Sequence, residues 1–315
     1  MSQTERIRYS VVVPIYRNAD GISALLEALG GIGFGNELEV VFVVDGSPDN
    51  SFELLHAGLV ECTFNWQLLE LSKNFGSFTA IRQGLSCARG EYFAAIAADL
   101  QEPPELLLEF FEALREDRAD VVVGVRTGRS DPALTSLASR LFWRTYRFLV
   151  MKEMPIGGVD VFGCNRIFRN ALLSLQEKNN FLIGQLFWIG FRRAEIPYQR
   201  RARQAGKSSW TVWRRIDYMF DAIFSFSDLP VKLLMFIGLV GSLLAIGVSV
   251  SVAFAWSMGW IAVKGYAPIM LSIAVFGSLV TLGQGILGYY IWRIAEDTKR
   301  RPSSFILRHL KGGAA

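Results

Sequence analysis

"EYFAAIAADLQEPPELLLEFFEAL", residues 91–114, decides how this chain is read. Its first half is a short apolar run that stops at Asp99. Pro103 and Pro104 then fix φ where a starting helix has no partner for its N–H groups. Leu106, Leu107, Phe110, Phe111 and Leu114 follow at helical spacing. A buried strand ending in a carboxylate and passing into a rigidly started helix is a βα unit with chemistry at its carboxyl end.

The pattern continues on both sides. "YSVVVPIY" (9–16), "LEVVFVVD" (38–45), "WQLLEL" (66–71) and "DVVVGVR" (120–126) read as further strands, with helices expected over 22–29, 52–59, 78–88 and 105–116. Such alternation predicts an α/β fold with a mostly parallel sheet and helices on both faces. Ligands of these sheets bind outside the carboxyl ends of the strands. Three of those ends carry candidate groups: Pro14 and Tyr16, then Asp45-Gly46-Ser47, then Asp99.

Of 315 residues 51% are hydrophobic, and the excess is concentrated near the carboxyl terminus. Val231–Trp256 and Ala267–Trp292 each exceed the roughly 20 apolar residues needed to cross a bilayer. Trp256, Trp260, Tyr289, Tyr290 and Trp292 supply interfacial aromatics. The loop between the spans carries Lys264, whereas Arg214, Arg215, Arg293, Lys299, Arg300, Arg301, Arg308 and Lys311 flank them on the other side. The positive-inside rule then predicts a transmembrane hairpin in the cytoplasmic membrane, with the amino-terminal domain and both termini in the cytoplasm.

The expected division is a catalytic domain over 1–206, an amphipathic juxtamembrane segment over 207–230, the hairpin over 231–292 and a basic tail over 293–315. "SLASRLFWRTYRFLVM" (136–151) reads either as a second membrane-surface helix or as a core helix with a solvated basic face. The polar first residues predict no signal peptide. Cys62, Cys87 and Cys164 are dispersed and read as reduced thiols, and with His56 and His309 they form no familiar zinc spacing. The net charge of +4 is modest and its basic excess lies near the spans, which suits lipid headgroups and not nucleic acid.

"VVVPIYRNAD" (11–20), "VVDGSPDNS" (43–51), "LSKNFGSFTAIRQGL" (71–85), "AADLQEPPE" (97–105) and "GVRTGRSD" (124–131), in this order and before an apolar hairpin, resemble the family 2, GT-A-fold polyprenyl-phosphate glycosyltransferases. The resemblance covers about residues 8–300. It implies a nucleotide pocket at Pro14, Tyr16 and Asp45. It also implies a divalent cation, Mg²⁺ or Mn²⁺, held with the sugar diphosphate by Asp99 and Gln101. Arg126, Arg140 and Arg203 then match basic positions around the lipid acceptor's phosphate, and Asp160 an acidic one beside them. By the same resemblance the reaction inverts the anomeric centre, the donor is a nucleotide sugar such as UDP-glucose, the acceptor is undecaprenyl phosphate, and a homo-oligomer is expected.

This sequence departs from the family pattern D-x-D-L-Q at its first aspartate, which is Ala97, and from D-D-G at Val44. Mg²⁺ keeps several waters and takes one or two carboxylates plus substrate phosphates, so Asp99 with Gln101, a diphosphate and water can complete its octahedron, with weaker binding expected. A lipid phosphate is largely ionised at neutral pH and needs positioning more than a base. The competing readings are a processive polysaccharide synthase, whose Q-x-x-R-W signature has its nearest match at Gln185–Trp188 without the arginine, and a non-catalytic nucleotide-sugar-binding scaffold.

Overall fold

The expected alternation is realised from Tyr9 to Arg126 as β1 (Tyr9–Ile15), α1 (Ile22–Gly30), β2 (Leu38–Val44), α2 (Ser51–Leu59), β3 (Asn65–Leu71), α3 (Ser77–Cys87), β4 (Tyr92–Ala95), α4 (Leu106–Arg115) and β5 (Val121–Arg126). There follow β6 (Val159–Asn165), α5 (Arg166–Ser174), α6 (Leu182–Trp188), β7 (Arg193–Tyr198), α7 (Leu229–Ser257), α8 (Tyr266–Thr298) and β8 (Ile306–Gly312). This computed structural model describes residues 7–127, 159–175, 182–201, 229–258, 265–299 and 301–313, with Arg147, Glu153 and Pro155. The segments expected to be amphipathic, 136–151 and 207–230, lie outside the described residues apart from Arg147, Leu229 and Pro230.

The eight strands form one sheet in the order β7-β5-β6-β4-β1-β2-β3-β8. Strands β4, β1, β2 and β3 are parallel, as the sequence predicts. The rest is mixed: β6 runs antiparallel to β4 and β5, β7 parallel to β5, and β8 antiparallel to β3. The sheet is therefore less parallel than expected. The added strands are "VDVFGCN", "RAEIPY" and "ILRHLKG", in which polar residues interrupt the apolar run, and antiparallel or edge positions tolerate that pattern.

Successive residues of β1 serve opposite faces of the sheet. Val11, Val13 and Ile15 join Leu25, Leu29, Leu55, Leu107 and Phe110 in one buried cluster. On the other face α3 packs through Gly84, where an added Cβ would stand 2.3 Å from Val12 Cγ1 and 3.0 Å from Val43 Cγ2. Each fully buried aliphatic or aromatic side chain contributes about 1.5–3 kcal/mol, which fixes the strand ends relative to the helices.

Below that core the sheet holds a buried carboxylate. Glu39 of β2 accepts from Ser10 Oγ at 2.8 Å, Gln67 Nε2 at 2.8 Å, Arg89 N at 2.8 Å and Arg89 Nε at 2.6 Å. Gln67 in turn meets His309 of β8 at 2.8 Å. Residues 306–312, which fall in the expected basic tail, thus form an edge strand of the same eight-stranded sheet. Arg308 anchors it by an ion pair to Glu70, a second to Glu53 at 3.3 Å and a stack 3.7 Å from the Phe52 ring centroid.

The chain divides into two compact units, Met1–Ala222 with Pro302–Ala315 and Ile223–Arg301. The second contains α7 and α8. Within it Gly283 admits Leu234, whose Cδ1 would lie 3.0 Å from an added Cβ. Among the described residues no helix is long and apolar enough to cross a membrane.

At the carboxyl rim of the first unit, side-chain oxygens hold the loops. Asp45 accepts from Phe75 N at 2.7 Å and Gly76 N at 2.8 Å. Gly46 has φ +53°, and an added Cβ would stand 2.2 Å from the Lys73 carbonyl carbon, so only glycine lets the β2 and β3 loops touch. Asp49 accepts from Ser47 Oγ at 2.6 Å, Ser51 Oγ at 2.7 Å and Ala19 N at 3.2 Å. Its carboxyl is held below the usual range because these hydrogen bonds outweigh the upward push of burial. Asn18 donates to Ala98 O at 3.2 Å, joining the β1 loop to the turn after β4.

Two measurements test this framework. Glu39→Ala strands four donors around a buried cavity and is expected to lower unfolding stability by about 3–5 kcal/mol in denaturant titration. Asp45→Ala frees the Phe75 and Gly76 amides, each costing about 1–3 kcal/mol if left unpaired, and is expected to speed their hydrogen exchange selectively.

Candidate active site

The turn bearing Asp99 begins earlier than the sequence suggests, because β4 ends at Ala95. Ile96 N still reaches Val12 O at 3.1 Å, and the chain then leaves the sheet. Leu100 adopts φ +53° and is only 8% exposed. A left-handed leucine costs of order 1–2 kcal/mol, offset here by burial of its side chain. Gln101 N donates to Asp99 Oδ1 at 3.3 Å, closing the turn on the carboxylate.

Glu102, next in line, is 1% exposed. Burial first, then the charges of Asp160 and Asp99, raise its pKa to about 7 against the opposing effect of Arg200 and Arg126. Those interactions place Asp99, Glu102, Arg126, Asp160 and Arg200 within one electrostatic neighbourhood. The segment after β7 closes over the turn: Arg201 N donates to Gln101 O at 2.8 Å, Arg200 Nη2 donates to Gln101 Oε1, and Arg200 Nε stands 3.7 Å from Glu102 Oε1.

Arg126, at the end of β5, pairs with Asp160 of β6 through both Nε and Nη2. Tyr198, at the end of β7, donates its hydroxyl to the same Asp160 oxygen at 3.1 Å. The tyrosine ring can lie there because the neighbouring position is Gly124, where an added Cβ would be 3.1 Å from Tyr198 Cε1. Burial would lower the Arg126 pKa, but the Asp160 carboxylate outweighs it and holds the guanidinium firmly charged. The Tyr198 phenol is pushed up by burial and by Asp160, so it stays a hydrogen-bond donor.

The sequence-predicted residues therefore separate into groups. Asp99 and Gln101 share one turn and Arg126 and Asp160 pair directly, and Asp99, Asp160 and Arg126 all act electrostatically on Glu102. Pro14 is the penultimate residue of β1 and Tyr16 follows the strand directly; both are partly exposed, and the Arg17 guanidinium lies 5.4 Å from the Tyr16 ring centroid. Asp45 is 2% exposed and gives both carboxylate oxygens to the 75–76 backbone, so its immediate role is to shape the rim. Arg140 and Arg203 lie outside the described residues. Tyr198 and Arg200 were not anticipated; the available signal was a strand ending in "PY" and followed at once by the basic run "QRRAR" (199–203). Gln185, of the nearest synthase-like motif, is fully buried and accepts from Arg82 at 3.1 Å, away from this cluster's hydrogen bonds.

Among the described residues no group of three or more His, Cys, Asp or Glu side chains could hold a metal ion. The donor set at Asp99 and Gln101 is one carboxylate and one amide oxygen. That set fits a divalent ion that arrives with phosphate ligands of its own, and does not fit a preassembled cage.

An undecaprenyl-phosphate 4-deoxy-4-formamido-L-arabinose transferase of Klebsiella pneumoniae is 29% identical, over 96% of this chain and 93% of its own. The prophage bactoprenol glucosyl transferase homolog of Escherichia coli is 28% identical, over 96% of this chain and 99% of its own. A solved mannosyltransferase of Pyrobaculum calidifontis, in complex with GDP-Man and Mn²⁺, aligns at 17% identity and TM-score 0.49 over 95% of this chain and 89% of its own. The profile described as glycosyl transferase family 2 matches residues 10–175, more than half of the chain. The protein belongs to that family, and it is a glycosyltransferase of the GT-A-like α/β type.

Proposed function

We propose that the protein transfers a hexose from a nucleotide sugar, UDP-glucose in the first instance, to undecaprenyl phosphate, with inversion at the anomeric carbon. The observation that carries this reading is the contact of the Asp99–Gln101 turn with the Arg200 guanidinium, beside Glu102, whose charge environment also includes Arg126. Such a site presents guanidiniums to phosphate groups, and its exposed carboxylate Asp160 is already committed to Arg126. It suits an acceptor that is already ionised.

In the reaction an acceptor phosphate oxygen forms a bond to the anomeric carbon while the bond from that carbon to the diphosphate oxygen breaks. The products are a polyprenyl-phosphate sugar and a nucleoside diphosphate. Arg126, charged and oriented by Asp160 and Tyr198, faces the acceptor phosphate. Asp99 and Gln101 would hold Mg²⁺ or Mn²⁺ together with the donor diphosphate, where the ion supplies Lewis-acid neutralisation of the leaving group. Near-attack placement of two anions is the main task left to the protein.

The same reading makes α7 and α8 a transmembrane hairpin of the cytoplasmic membrane, with the catalytic unit in the cytoplasm. Its support is the sequence: across 231–256 the only charge is Lys232, and across 267–292 there is none. A homo-oligomer is part of this proposal, supported by the glycines of the second span, Gly285 and Gly288, which have nothing within 4 Å of an added Cβ.

Purified full-length protein is expected to move labelled glucose onto a short polyprenyl phosphate. Asp99→Asn is expected to slow transfer roughly a hundredfold or more. Nucleotide-sugar binding without product, or full activity of the Asn variant, would refute the reading. Ala97→Asp, restoring a second carboxylate, is expected to lower the Mg²⁺ or Mn²⁺ concentration giving half-maximal rate; an unchanged metal titration would exclude position 97 from the ion's surroundings.

A further inference from the structure

Arg200 is the guanidinium of this site whose pairing is incomplete. Its Nη2 donates to the neutral amide of Gln101, while its Nε stands 3.7 Å from Glu102 Oε1, beyond hydrogen-bond range. That Nε is buried without a hydrogen-bond partner, and so is Glu102 Oε2, on a side chain 1% exposed. Arg126 is the contrast, with both Nε and Nη2 on one carboxylate.

Nε and Nη2 form the edge of a guanidinium that grips two oxygens of one carboxylate or phosphate. In Arg200 this edge is divided between an amide and an out-of-range carboxylate. A tetrahedral oxyanion would satisfy it better than its present neighbours do. The backbone need not move for the exchange, because the segment is fixed independently: Arg201 N donates to Gln101 O at 2.8 Å, and Arg201 Nη2 lies 3.2 Å from Glu105 Oε2.

We infer that Arg200 is a further phosphate-binding residue of this site, and that a phosphate takes its Nε–Nη2 edge when substrate binds, releasing Gln101 Oε1. The inference rests on the transferase reading and names the side chain that receives the anion. The ligand chemistry is a phosphate oxyanion, from either the donor diphosphate or the lipid acceptor.

The test compares full-length wild type with Arg200→Gln and Arg200→Lys, using UDP, GDP, the matching nucleosides and a short-chain polyprenyl phosphate as probes. Thermal unfolding establishes that each variant is folded. Because Arg200→Gln leaves Glu102 buried without its cation, the double variant Arg200→Gln/Glu102→Gln removes both charges together and serves where the single one fails to fold. Nucleoside diphosphate binding weakened roughly ten- to hundredfold by Arg200→Gln, partly recovered by Arg200→Lys, with nucleoside binding unchanged, assigns Arg200 to the donor. The same loss seen with polyprenyl phosphate alone assigns it to the acceptor. Folded variants that bind every phosphate probe as wild type does would overturn the inference. Wild type that binds nucleoside diphosphate but transfers no sugar would defeat the transferase reading, and the Arg200 comparison would still be decided by its binding constants.

Discussion

Two backbone amides, those of Phe75 and Gly76, end on the buried carboxylate of Asp45, and the shape of the rim follows from that bond pair. A buried carboxylate needs donors, and the loop after β3 supplies them as main chain, which cannot be withdrawn by a rotamer change. Gly46 completes the constraint by letting the Lys73 backbone come where a Cβ would otherwise sit. The carboxyl ends of β2 and β3 are thereby locked, and Asp49 and Asn18 extend the lock to β1 and β4. Asp99 is positioned by a framework of main-chain and side-chain bonds that lies mostly outside its own turn.

Within that frame the charges divide into a closed set and an open one. Arg126, Asp160 and Tyr198 satisfy one another, giving a guanidinium whose orientation is fixed before any ligand arrives. Arg200, Glu102 and Gln101 do not, since the pair stands at 3.7 Å with buried polar atoms left over. A fully satisfied network rigidifies, whereas a buried polar atom without a hydrogen bond carries a desolvation cost that a new partner would relieve. The contrast separates preorganised binding from binding that rearranges hydrogen bonds on contact.

The parallel half of the sheet was legible because its strands are continuous apolar runs, and α4 because its leucines and phenylalanines return at helical spacing. Strands β6, β7 and β8 were hidden by alternating polar residues, and β8 further by its basic character. Its arginine and histidine are not a tail's free charges; they reach Glu70 and Gln67 of the neighbouring strand. Asp99, Gln101, Arg126 and Asp160 could be found from motif order. Arg200 could not, because its significance is a relation to Glu102 across 98 residues of chain that no local spacing encodes. Asp45 was legible as a residue but not in its first role, since backbone amides leave no pattern in a sequence.

The alanine at position 97 acquires a physical meaning in this setting. A site that takes a diphosphate and a lipid phosphate together must bring several negative charges within a few ångströms of one another, and every extra carboxylate adds repulsion. Here Ala97 removes one such charge, and burial followed by Asp160 and Asp99 holds the Glu102 carboxyl up to about 7, so a large share of it is uncharged near neutrality. Asp160 is neutralised by Arg126, which leaves Asp99 as the carboxylate placed to meet a cation. Loss of the first aspartate weakens one way of holding a metal ion, and it also keeps the carboxylate charge of the site closer to that of its two guanidiniums, Arg126 and Arg200. Under the proposed function, two phosphorylated substrates would meet less repulsion here than an aspartate at position 97 would impose, and the Nε–Nη2 edge of Arg200 is the group inferred to receive one of them.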